Sequence, residues 1–132
     1  MSNPLPVLAA PIVIIVDDDA AVRGSLKFAL EVEGFAVHAY GKGDDLFGDA
    51  DLADCACFII DQKLPGRSGL DLVTALREQR IAAPVILITS APPPAVKERA
   101  AKAGVPIVEK PLLGNALLER VRDATTHPRT AH

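Results

Sequence analysis

Cysteine is scarce in this chain: Cys55 and Cys57 are the only two among 132 residues. Read as positions i and i+2 of one strand, their side chains share a face about 7 Å apart, which disfavours a disulfide. No further Cys and no clustered His completes a metal site, so the pair reads as two small buried hydrophobes in a reducing cytoplasm. His38, His127 and His132 are scattered and carry no role in this reading. A basic stripe is missing as well. With a net charge of −3 and a pI near 5.5, there is no electrostatic case for direct nucleic-acid binding. The longest apolar run, LPVLAAPIVIIV at residues 5–16, is too short to span a bilayer, is broken by Pro6 and Pro11, and ends in acid. No Lys or Arg precedes it, which argues against a signal peptide. Repeats and low-complexity tracts are also missing.

What is present fits one globular domain, with 49% hydrophobic and 23% charged residues. Short apolar runs alternate five times with helix-patterned segments, which is the pattern of βα units on a parallel sheet. The expected strands are Ile12–Val16, Phe35–Tyr40, Cys55–Ile60, Val85–Thr89 and Pro106–Glu109. Four are nearly continuous in β-forming apolar residues, as strands buried on both faces should be. The first helix, Ala20–Glu33, sets Val22, Leu26, Ala29 and Leu30 on one stripe, with Gly34 as C-cap. A short, weak helix is expected at Asp44–Ala50. Leu70–Gln79 turns Leu72, Val73 and Leu76 inward, and Ala95–Ala103 ends at Gly104. Leu112–Ala124 closes the domain with Leu113, Leu117, Leu118 and Val121. Residues 1–11, with Pro4, Pro6 and Pro11, read as an extended arm, residues 12–125 as the domain, and residues 126–132 as a polar tail. The fold class is therefore α/β, a doubly wound (βα)5 parallel sheet, whose strand ends would converge on one patch if the order is the flavodoxin-like 2-1-3-4-5.

In such a sheet, sites form outside the carboxyl ends of the strands. Strand one ends in Asp17 and Asp18, strand three in Asp61, strand four in Thr89 and Ser90, and strand five in Lys110. Carboxylates crowded at a buried strand end repel one another and call for positive charge. Asp17, Asp18 and Asp61 form a hard oxygen pocket suited to Mg²⁺, and Lys110 adds a second cation. A metal, a lysine and a hydroxyl around a carboxylate are also the equipment for placing a phosphoryl group. Carboxylates serve as phosphoryl nucleophiles, giving aspartyl phosphate. Asp61 is the best candidate, being central, single, and followed by the turn QKLPGRSG, which can leave its face open. Asp17 and Asp18 are left to hold the metal.

Over residues 12–124 the chain resembles the receiver domain of bacterial two-component response regulators. The acidic pair Asp17 and Asp18 ends strand one, and Asp61 stands in IIDQKLPGRSG with Pro65 and Gly69 at the family's offsets. Thr89 stands in ILITS, while Lys110 and Pro111 stand in VEKPL, where the family often has a cis bond. The stretches VDDDAAVRGSL, EGFAV and EKP look closest to the FixJ-type branch. The resemblance implies that Asp61 takes a phosphoryl group from a phosphohistidine on a sensor histidine kinase or phosphotransfer protein. It implies Mg²⁺ held by Asp18, Asp61 and the main-chain carbonyl of Lys63, with Asp17 acting mostly through water. Thr89 and Lys110 would bind the phosphoryl oxygens, and their inward movement would shift a pre-existing equilibrium. A receiver is no enzyme beyond its own phosphorylation and dephosphorylation. Output is expected at a separate partner, through the fourth helix, fifth strand and fifth helix, in a cytoplasmic, stand-alone domain, with homodimer formation left open.

Some positions depart from the family pattern or take plainer readings. Ile107 occupies the place of the family's aromatic switch residue, so an aromatic-in, aromatic-out readout is unavailable. Pro92, Pro93 and Pro94 stiffen a connection that is often mobile, and read as a surface loop leading into a helix N-terminus. The Lys63 side chain, beside the path of an attacking water, predicts an altered phosphoryl lifetime. Asp19 reads as a helix N-terminal acid, Gly66 as a turn residue and Arg67 as solvated. One rival function is a degenerate receiver acting as a phosphorylation-independent interaction module, for which Ile107 speaks. Another is a haloacid-dehalogenase-type phosphatase, whose second acid Asp19 could mimic. That family requires an acidic pair after the lysine, where this chain has only Glu119 and Asp123 within a helix. A flavin module is disfavoured because an acid triplet would repel phosphate after strand one.

Overall fold

The computed structural model describes residues 10–112 and 114–126. Most of the expected arm, the expected core residue Leu113, and His127 to His132 of the tail lie outside the described residues. The chain runs β1 (Ile12–Val16), α1 (Ala20–Val32), β2 (Ala36–Tyr40), two 3₁₀ turns (Gly43–Gly48 and Leu52–Asp54), β3 (Cys57–Asp61) and α2 (Gly69–Glu78). It continues with β4 (Val85–Thr89), α3 (Pro94–Lys102), β5 (Ile107–Glu109) and α4 (Ala116–Thr126). All strand pairs are parallel, in the order β2-β1-β3-β4-β5. Each strand therefore needs a crossover, and the crossovers cover both faces of the sheet.

One face packs Ile14, Val16, Phe58, Ile60, Val85 and Leu87 against Leu70, Leu72, Val73 and Leu76 of α2, Ala100 of α3 and Leu46 of the first 3₁₀ turn. The other packs Val13, Ile15, Cys57, Ile59, Ile86 and Ile88 against Leu30 of α1 and Leu117 and Val121 of α4. The alternation of β1, β3 and β4 between these two cores explains why their sequences are unbroken hydrophobic runs. Among the described residues, no helix is long and apolar enough to cross a membrane.

Local chemistry sets the helix ends. Asp19 caps α1, its Oδ1 accepting from the Ala21 N–H at 2.8 Å and the Val22 N–H at 3.3 Å. After the C-cap Glu33, Gly34 turns the chain at φ +97°. Ser68 caps α2 through the Asp71 N–H, and Pro94 opens α3 at its first position, where a missing N–H costs nothing. Gly66, at φ +82°, is the turn residue expected of it.

Several boundaries differ from the sequence reading. The segment expected as a helix at Asp44–Ala50 forms 3₁₀ turns instead: Gly43 and Gly48 weaken an α-helix, and buried Leu46 anchors the turn. β3 begins at Cys57, because the Cys55 N–H is held by the Leu52 carbonyl in the second 3₁₀ turn. The two cysteines therefore do not share a strand; both are buried and free. Burial pushes the Cys55 thiol up to about 11 and the Cys57 thiol up to about 12. β2 starts at Ala36 and β5 at Ile107, one residue later than expected. α4 starts at Ala116 rather than Leu112, beyond the left-handed Gly114 at φ +70°. Ala29 is exposed at the rim of its stripe, and Phe28 and Val32 also face outward.

Candidate functional site

The three central strands end side by side, which brings residues far apart in sequence to one patch. β1 ends at Val16 and leads into Asp17, β3 ends at Asp61, β4 ends at Thr89, and β5 leads through Glu109 into Lys110. Asp17, Asp61 and Thr89 are 0%, 4% and 1% exposed, the buried polar residues among those described. Asp18 points outward from the same rim, and the carboxylates of Asp17, Asp18 and Asp61 offer oxygens within 4.8 Å of one another.

Lys110 is the cation of the group. Its Nζ stands 2.9 Å from Asp17 Oδ2 and 3.2 Å from Asp61 Oδ2, donating a hydrogen bond to the latter. The contact with Asp17 is a close, buried ion pair that ties the lysine to the end of β1. Burial works against the charge on Lys110, but Asp17 and Asp61 outweigh it and hold its pKa above the ordinary lysine value. For Asp61 the balance is reversed. Burial first, and then the charge of Asp17, hold its carboxyl above the usual carboxylate range, despite the Lys63 N–H and Lys110. Three carboxylates against one lysine leave the pocket short of positive charge. That donor set suits a hard divalent cation such as Mg²⁺.

Thr89 completes the rim. Its Oγ1 is buried with no hydrogen-bond partner, and its carbonyl accepts from the Lys110 N–H at 2.8 Å, joining the two strand ends. The Lys110–Pro111 bond is cis. Beyond Thr89, Ala91 adopts φ +38°, an uncommon conformation for a residue with a side chain, ahead of the three prolines. Ile107 is half-buried against the α2–α3 side of the core. The Lys63 side chain is exposed, and its N–H donates to Asp61 Oδ1 at 3.2 Å. Asp19 is committed to capping α1, which removes it as a second pocket acid.

Two further supports escaped the sequence reading, and a third, Gly69, was marked there only by its offset. Arg23 Nη1 donates to the Asp17 carbonyl at 2.7 Å, tying α1 to the end of β1. Gln62 Oε1 accepts from the Leu70 N–H at 2.9 Å and so fixes the start of α2. Gly69 lies so close to β3 that a Cβ there would stand 2.5 Å from the Asp61 carbonyl oxygen. Of these three, only the offset of Gly69 from Asp61 left a signal in the sequence; the contacts of Arg23 and Gln62 follow no local spacing rule.

The family described as the response regulator receiver domain matches residues 13–122. The C4-dicarboxylate transport transcriptional regulatory protein DctR of Rhodobacter capsulatus is 36% identical over 108 residues, covering 80% of this chain and 55% of the relative. The transcriptional regulatory protein FixJ of Rhizobium meliloti is 33% identical over 114 residues, covering 86% and 56%. The crystal structure of FixJ-N superimposes with a TM-score of 0.77 at 30% identity, covering 94% of this chain and all of that one. The chain thus spans about half the length of the curated relatives it matches. Fold, pocket composition and sequence agree, and the chain belongs to the receiver domain family of two-component response regulators.

Proposed function

We propose that this chain accepts a phosphoryl group on Asp61 and transmits the modification as a conformational shift. An Asp61 carboxylate oxygen would bond to the phosphorus of a phosphohistidine, on a sensor kinase or phosphotransfer protein. The phosphorus–nitrogen bond would break with its electron pair left on the imidazole. The observation that carries this reading is Thr89 Oγ1, a buried hydroxyl without a partner at a strand end that is bonded to Lys110. Such a hydroxyl is costly unless something polar arrives to engage it. Thr89 and Lys110 would hold the phosphoryl oxygens, and Lys110 would turn from Asp17 and Asp61 toward them. Asp18, Asp61 and the main-chain carbonyl of Lys63 would hold Mg²⁺, with Asp17 acting through water, and the ion would neutralise phosphoryl charge. Output would pass to a partner through the face of α3, β5 and α4, and the unit that does this is residues 12–125 of a cytoplasmic protein. Ile107 favours a second reading, an interaction module indifferent to phosphorylation.

Beryllofluoride with Mg²⁺, followed by amide nitrogen–proton spectra, separates the two. Shifts at Asp61, Thr89 and Lys110 that vanish in Asp61→Asn support the phosphoacceptor. Unchanged spectra in the parent favour the interaction module.

A further inference from the structure

A second group of titratable side chains gathers on the sheet edge, away from the acidic pocket. His38 and Tyr40 lie two residues apart on β2 and share one face. They meet Asp49 there, just after the first 3₁₀ turn, with the Asp49 side chain only 3% exposed. Asp49 Oδ2 lies 2.7 Å from His38 Nδ1 and accepts from the Tyr40 hydroxyl, while its Oδ1 accepts from the Asp51 N–H at 2.8 Å.

With a carboxylate oxygen 2.7 Å from Nδ1, the His38 proton sits on Nδ1 as a donor to Asp49, which leaves Nε2 on the far side of the ring. Nε2 faces Asp51 Oδ2 at 4.0 Å, too far for a hydrogen bond. Both side chains reach solvent, at 32% and 49% exposure. An imidazole nitrogen and a carboxylate oxygen thus converge across an accessible gap, with a buried carboxylate behind the ring. In a tetrahedral zinc site with bonds of about 2.0–2.2 Å, neighbouring ligand atoms stand about 3.4 Å apart. Closing the gap needs only a small rotation of the exposed Asp51 side chain.

We propose that His38 Nε2 and Asp51 bind a divalent transition cation of the zinc type, with water completing its shell and Asp49 orienting the imidazole from behind. The nitrogen ligand separates this site from the all-oxygen pocket at Asp17, Asp18 and Asp61, which suits magnesium. The bound cation would clamp the turn at residues 49–51 to β2. The last carbonyl of that strand, on Tyr40, accepts from the Asp17 N–H at 3.0 Å.

The test titrates zinc chloride into the full chain, with excess magnesium occupying the acidic pocket, and follows imidazole nitrogen–proton spectra. His38→Gln identifies the His38 signals against those of His127 and His132. The expected result is a saturable shift of His38 Nε2 as zinc is added. Asp49→Asn should weaken binding about 10–100-fold, and Asp51→Asn, at an exposed side chain, should weaken it at least as much with the amide spectrum otherwise intact. A His38 signal that zinc does not move, or a response confined to His127 and His132, overturns the proposal. So does a His38 response that both asparagine variants leave unchanged.

Discussion

Asp61 is buried and Asp49 is a half-buried residue with a covered side chain, and the environments of the two carboxylates push in opposite directions. Asp61 is held above the usual carboxylate range by burial and by Asp17, so the folded chain binds its proton more tightly than the unfolded chain does. Its contribution to stability is therefore fullest at low pH and is lost as pH rises through its folded value. Asp61→Asn, without divalent cations, should melt higher at neutral pH by about 1 kcal/mol, roughly 3–5 °C for a domain of this size. That gain should shrink toward acid. Scanning calorimetry across pH checks this, and a variant melting lower than the parent at neutral pH would contradict it. Asp49 is lowered instead: burial opposes its charge, but Tyr40, the Asp51 N–H and His38 prevail. Its stabilisation is present above the ordinary carboxylate range and is lost as pH falls through its folded value. Asp49→Asn should cost about 1–3 kcal/mol at neutral pH, and the deficit should vanish in acid, as denaturant midpoints at several pH values would record.

At the level of elements, β3 and α2 share the tightest junction near the site. Gly69 admits no Cβ against the Asp61 carbonyl oxygen, and the obstructing atom is backbone and cannot step aside. Gly69→Ala should cost about 1–3 kcal/mol or more and slow phosphoryl transfer to Asp61, read as a lowered melting temperature with reduced labelling; parent-like values for both would refute the junction's role. The strands and their ends were legible in the sequence because strands buried on both faces are unbroken apolar runs, and the charged residues that stop them stand out. The 3₁₀ turns were not, since a segment with Gly43, Gly48 and only Leu46 and Phe47 as anchors has no clear period. The start of β3 was misplaced because Cys55 looks like a strand residue and is held by Leu52 instead. Partnerships between elements, such as Arg23 with Asp17 and His38 with Asp49, follow no sequence spacing and became visible only in three dimensions.

Taken whole, the molecule is a two-faced sheet whose cores stop at one shared rim, where three carboxylates, a hydroxyl and a lysine meet. Fold and family are established by that architecture and by the relatives it matches. The central claim, that the rim is a phosphoacceptor, is tested most directly by intact mass after incubation with Mg²⁺ and acetyl phosphate. The account predicts the gain of one phosphoryl group in the parent, and none in Asp61→Asn or when Mg²⁺ is omitted. No adduct in the parent, together with no change on adding beryllofluoride, would contradict it.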